Sequence, residues 1–203
     1  MKNEGSNIQY LNNPDGQLEN NQAKFEIVEL TPNDWQKLQD LKLRSLDQEP
    51  IAFEDQETGK SRYLTRPEEE WRKILSGKLL DKEGEYINIF AKAKNQIVGM
   101  VGAVVPEQQD QNDKIATVHH MYVDKTWRGQ AIGKELLQTL IGKLRQQEDV
   151  KKIELNVVAT QVPAFEMYKS LGFKETARST AKRGQNEYEE IKMELILHKK
   201  DKI

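Results

Sequence analysis

The residues best suited to chemistry lie in Arg128-Gly-Gln-Ala-Ile-Gly-Lys134, which follows an extended apolar run over 115–123. Gly129, Ala131 and Gly133 sit where a strongly periodic helical segment begins. Small side chains let a ligand approach the main chain, and the first N–H groups of a helix have no partner within it. Oriented amides and the positive end of the helix dipole favour negative charge there. Arg128 and Lys134 add mobile positive charge. The segment therefore reads as a cradle for a phosphate or diphosphate.

Two familiar glycine patterns do not fit. A Walker-type P-loop needs four residues between its glycine and Gly-Lys-Ser/Thr. Here three residues separate Gly129 from Gly133, and Glu135 stands where a hydroxyl should bind magnesium. The Gly-x-Gly-x-x-Gly dinucleotide fingerprint is absent as well.

Composition narrows the chemistry. The 203 residues are enough for one well-buried core. With 31 basic and 33 acidic residues the net charge is −2, so a broad basic surface for nucleic acid is not expected. The chain has no cysteine, which removes disulfides, thiolate metal sites and a cysteine-linked acyl-enzyme. No run approaches about 18 apolar residues and no signal-peptide core opens the chain. No membrane partner and a cytoplasmic location are the default expectations. Glu68, Glu69 and Glu70 read as partners of a helix dipole, and no metal site is expected.

The positioning elements can be read from the pattern. Nine of the first 24 residues are Asn or Gln, so 1–24 is expected to be a mobile extension, with one domain over 25–200. A strand opens at Phe25. Thr31-Pro32-Asn33-Asp34 carries a helix-start signature, with Trp35, Leu38, Leu41 and Leu46 facing inward. The stretch 48–64 reads as an irregular loop, and a second helix starts around 65–70. Strands over 86–93 and 96–105 flank a Lys94-Asn95 turn, and a further strand covers 115–123. A helix over 132–147 and a strand over 150–158 then imply a parallel, right-handed crossover. A short helix over 163–170 ends at Gly172. Strands over 173–178 and 187–197 close the chain, with Lys182 and Arg183 in their loop. The fold class is α/β, a mixed sheet around a central βαβ unit.

With Arg128-Gly-Gln-Ala-Ile-Gly133 after a strand, the chain resembles the GNAT superfamily of acetyl-CoA-dependent N-acetyltransferases. His120-Met-Tyr-Val-Asp124 is similar to that family's fourth strand and its exit. Tyr168-Lys-Ser-Leu-Gly-Phe173 looks like its aromatic, then Leu-Gly-Phe, ending about 40 residues on. The order of elements matches from Phe25 to about residue 198.

The resemblance implies a mostly antiparallel mixed sheet in which strands four and five splay apart, with acetyl-CoA as cosubstrate between them. Met121, Tyr122 and Val123 would serve the pantetheine arm, and Arg128, Gly129, Gln130, Ala131, Ile132, Gly133 and Lys134 the pyrophosphate. Amides near Met121 would face the thioester oxygen. Gln161 stands where many members have Asn, and Ala131 replaces a signature glycine. Tyr168 would be the catalytic acid that protonates the departing thiolate. No general base is assigned: His119 and His120 are expected on opposite faces of their strand, and Glu54, Glu57 and Glu85 are further candidates. The implied activity is direct attack by a primary amine in a ternary complex. The acceptor is a small molecule or a protein amine, entering between the 48–64 stretch and the C-terminal hairpin. A homodimer is left open. The alternative is a catalytically inactive CoA-binding sensor or interaction module of the same fold.

Overall fold

The computed structural model describes residues 25–50, 59–80, 83–107, 113–183 and 186–197. The expected extension 1–24 and the candidates Glu54 and Glu57 lie outside them. Seven strands form one sheet: β1 (Phe25–Val28), β2 (Gly84–Ala93), β3 (Gln96–Pro106), β4 (Lys114–Val123), β5 (Val150–Val158), β6 (Lys174–Arg183) and β7 (Asn186–Ile196). Their order is β1-β2-β3-β4-β5-β7-β6. β4 and β5 run parallel, and the other neighbours are antiparallel. The helices are α1 (Trp35–Gln48), α2 (Gly59–Leu64), α3 (Glu68–Leu75), α4 (Ile132–Gln146) and α5 (Val162–Ser170).

Local sequence explains most of these boundaries. Asp34 Oδ2 accepts from Thr31 N at 2.9 Å and Thr31 Oγ1 at 2.7 Å, which fixes the turn entering α1. Gly172 adopts φ +94 after α5, the left-handed geometry that ends a helix. Two expectations fail. Residues 59–64 form α2 within the stretch read as loop; one and a half turns with a polar sequence carry too little periodicity to show. β6 runs on to Arg183, where Lys182 pairs with Glu187 and Arg183 with Asn186, so these two basic residues belong to the strand. Backbone pairing with β7 sustains that exposed edge without hydrophobic alternation.

The sheet is covered on both faces. Strand alternation sends Ile87, Ile89 and Ala91 of β2 to the α4 face and Tyr86 and Phe90 to the α1 face. Leu136, Leu137, Leu140 and Leu144 of α4 are fully buried on the first face. Leu41 of α1 and Trp71 of α3 anchor the second. The buried apolar residues of β2 thus divide between two cores, which ties the sheet to both helix layers.

Candidate active site

β4 and β5 share register only from Lys114–Val150 to Thr117–Glu154. β4 then continues to Val123 and β5 to Val158, so their C-terminal halves diverge. The chain leaves β4 through Asp124, which is 6% exposed. Burial alone would raise its carboxyl pKa. Hydrogen bonds from Thr126 N (3.1 Å) and Thr126 Oγ1 (2.9 Å), with Arg44 and Gln48 beyond, outweigh that and hold it below the usual value. Asp124 N in turn donates to Val98 O at 2.8 Å. The exit turn is therefore pinned before the cradle begins.

Gly129 (φ +78) and Ala131 (φ +61) both take the left-handed conformation. The backbone doubles back and α4 starts immediately, with Ala131 as its N-cap. The helical ladder opens with Glu135 N donating to Ala131 O at 3.1 Å, so the N–H groups before it lie ahead of the ladder. A cavity of about 590 Å³ occupies the divergence. Met121, Tyr122 and Val123 line it from β4; Arg128, Gly129 and Ala131 from the turn; Ile132, Gly133 and Lys134 from α4; and Gln161 from the entry to α5. A Cβ on Gly133 would stand 3.1 Å from Met121 Cε and 3.3 Å from Met167 Sδ, so a larger side chain there would press on this wall.

Two expected residues are placed differently. Gln130 is not among the lining residues, and its Oε1 is buried without a hydrogen-bond partner. Tyr168 is 5% exposed, packs against Phe173 with ring centroids 6.0 Å apart, and does not line the cavity. Burial raises its phenol pKa, so the hydroxyl keeps its proton at neutral pH. Met167, its chain neighbour, does line the cavity.

Several lining residues were missed from sequence. Pro163, Ala164 and Met167 share one face of α5, and their spacing could have flagged them. Glu49 had no such signal. It follows α1, and its Oε1 accepts from Arg128 Nη2 at 2.8 Å across 79 positions of sequence. Arg128 Nε also donates to Val123 O at 3.0 Å. The guanidinium is thus folded back over the strand end, with a carboxylate as its partner.

His120 is where the strand departs from alternation. Its φ is +57, and the register with β3 shifts between Met100–Tyr122 and Gly102–His119. Before this bulge Ala116 and Val118 face the α4 core; after it Met121 and Val123 do. The extra residue therefore brings His119 and His120 onto the same side, rather than onto opposite faces as strict alternation predicts. Their ring centroids are 6.2 Å apart, and both line a second cavity of about 340 Å³.

Buried polar groups support this bulge. Tyr86 Oη and His120 Nδ1 share a 2.6 Å hydrogen bond. Gly102 makes it possible, since a Cβ there would sit 2.9 Å from the tyrosine oxygen. Desolvation, then the charges of Lys42, His119 and Arg66, push His120 well below its ordinary pKa, so it is neutral at pH 7. Lys42 is 3% exposed, with its Nζ 4.9 Å from the Tyr63 ring centroid. Glu85 lies elsewhere: its carboxylate accepts from Gln147, in a separate polar depression with Glu29 and Lys143. Among the described residues no cluster of His, Asp and Glu could hold a metal ion, and no helix is long and apolar enough to cross a membrane.

Comparison with known proteins agrees with this geometry. Human N-acetyltransferase 8 is 33% identical over 89 residues, and rat N-acetyltransferase 8B is 30% identical over 88. The human match spans 44% of this chain but only 39% of that protein's length. An acetyltransferase of the GNAT family from Streptococcus pneumoniae superposes with a TM-score of 0.67 at 18% identity, covering 85% of this chain and 99% of that one. Arabidopsis thaliana NAA60 in complex with acetyl-CoA gives 0.63 at 14% identity, covering 86% and 99%. The profile of the acetyltransferase (GNAT) family matches residues 43–173, well over half of the sequence. With its split sheet and glycine-lined helix entry, the chain belongs to the GNAT family of acetyltransferases.

Proposed function

We propose that the protein transfers an acetyl group from acetyl-CoA to a primary amine by direct attack in a ternary complex. The divergence of β4 from β5 carries this reading, because it opens an apolar cleft that leads to a helix N-terminus. Met121 to Val123 would hold the pantetheine arm through β4's open edge. The amides around Gly129 to Lys134 would take the two phosphates, with Arg128 and Lys134 supplying charge. Arg128 must then exchange Glu49 for phosphate oxygen.

Acetyl-CoA supplies an activated thioester, and the residues must orient it and manage protons. The amine nitrogen attacks the thioester carbon, the C–S bond breaks, and the thiolate leaves. Backbone N–H groups beside the bulge would stabilise the oxyanion. Tyr168 would give its phenolic proton to the sulfur, the nitrogen would release its extra proton to water as the amide forms, and water would reprotonate the phenolate. Its hydroxyl is protonated in the fold, as an acid requires. The incoming ammonium must lose a proton first, and neutral His120 lines the second cavity, one residue before Met121 of the first.

One observation favours binding without turnover: the Tyr168 ring lies in the core rather than on the cavity wall. Two measurements separate the readings. Calorimetry should show CoA binding, and acetyl-CoA with a panel of amines should release free thiol and acetylated product. Tyr168→Phe should lower kcat by about 10²-fold, in the range for general acid catalysis, with acetyl-CoA affinity within about twofold. Binding without thiol release for any amine would establish the sensor instead.

A further inference from the structure

The second cavity differs in charge from the molecule around it. The chain as a whole is slightly acidic, at −2. Yet Arg62, Arg66 and Lys78 all line the 340 Å³ cavity, and none of its described lining residues is acidic. Ile74, Leu79 and Val104 give it an apolar wall. It neighbours the proposed acetyl site along β4: His119 and His120 line this cavity, and the next residue, Met121, lines the other.

One of these cations is held in place. Arg66 is stacked over Tyr63 at 5.1 Å and Trp71 at 4.8 Å, with its Nε 3.4 Å from Glu70. Guanidinium has five N–H donors, and one such contact leaves capacity for a planar anion. Arg66 is depressed first by desolvation and also by Arg62, and its own charge depresses buried Lys42. This mutual repulsion is relieved when an anion enters.

Resting on the acetyltransferase reading above, we propose that this cavity selects acceptors of amino-acid size carrying a carboxylate and an apolar group, with Arg62, Arg66 and Lys78 receiving the carboxylate. The amine is then presented at the His120 bulge. Carboxylate recognition fixes the orientation, and the apolar wall takes the rest of the molecule.

The test compares kcat/KM, at saturating acetyl-CoA, for phenylalanine, leucine and methionine against their carboxamides. Each pair keeps the amine and side chain and removes only the charge. A carboxamide lowers the pKa of its amine, so chemistry alone favours the neutral partner. At least one free acid should be preferred by about tenfold or more, the scale of one charge-assisted hydrogen bond. In the double variant Arg62→Ala, Lys78→Ala that ratio should fall by about tenfold or more, to unity or below. Calorimetry with CoA shows that the variant is folded.

Equal or reversed preference in the natural protein overturns the proposal, as does a preference that the double variant leaves undiminished. So does transfer confined to uncharged amines, or a preference for O-phosphoethanolamine over every carboxylate. These outcomes leave the acetyltransferase reading standing. Absence of transfer to any amine, with CoA still bound, removes that reading and this inference together.

Discussion

The two cavities lined from successive residues of β4, His120 and Met121, are built on opposite plans. The larger is made mostly by a short contiguous stretch, Met121 to Lys134, and it depends on main-chain direction and missing side chains. The smaller gathers Arg62, Arg66, Lys78, Tyr86, Val104 and His119 from separate elements, and it depends on side-chain charge. The difference teaches how one fold can keep a common donor site while varying what it acts upon. A backbone cradle tolerates drift in most of its side chains. A charge-lined pocket is rewritten by two or three substitutions.

The sharpest way to break this contrast is energetic. Lys42 sits beneath the smaller cavity, and burial, with a contribution from Arg66, lowers its pKa from 10.5 to about 7. Because the folded pKa is depressed, the unfolded chain binds more protons between those values. Stability should rise with pH across that window, and the penalty is fully present below about pH 7. Lys42→Met should remove the slope and raise unfolding free energy at neutral pH by on the order of 3 kcal/mol. Urea unfolding of both proteins at several pH values measures it. Parallel curves would show that the smaller cavity bears no such cost.

The cradle should respond to volume rather than to charge burial. Gly133→Val places carbon against Met121 and Met167 and should weaken CoA binding by about 10- to 100-fold, with a smaller effect on folding. Calorimetry alongside thermal unfolding separates the two effects. Undiminished affinity would mean that the cofactor avoids this wall.

The smallest effect is expected at Ala131, which carries a β-carbon at φ +61. Left-handed geometry costs a non-glycine residue about 1–2 kcal/mol, while glycine loses about 0.5–1 kcal/mol more entropy on ordering. Ala131→Gly should therefore change stability by about 1 kcal/mol or less, with CoA affinity within about threefold. A larger change in affinity would show that the methyl group itself contacts the ligand.

The same contrast governs what could be read from sequence. The strands, α4 and the small-residue turn before it were legible because periodicity and glycine spacing are local signals. Tyr168 could be named from its motif, but the burial of its ring could not. The bulge was hidden, because nothing in Val-His-His-Met announces a left-handed residue, and one such residue reverses the facing of the strand. Glu49, Arg62 and Lys78 carry ordinary surface identities; only tertiary folding brings them to a site. The helix α2 was too short to show a period.

The parting of β4 from β5 has a mechanical consequence. Four strands stand on one side of the seam and three on the other, joined by the few register pairs at its closed end, as in a clothes-peg. A molecule lying along the seam would act as a splint, borrowing the ladder's own hydrogen-bonding groups and joining the two half-sheets. Amide exchange at 118–123 and at 155–158 should then slow together when the splint is in place, although the two segments do not pair with each other.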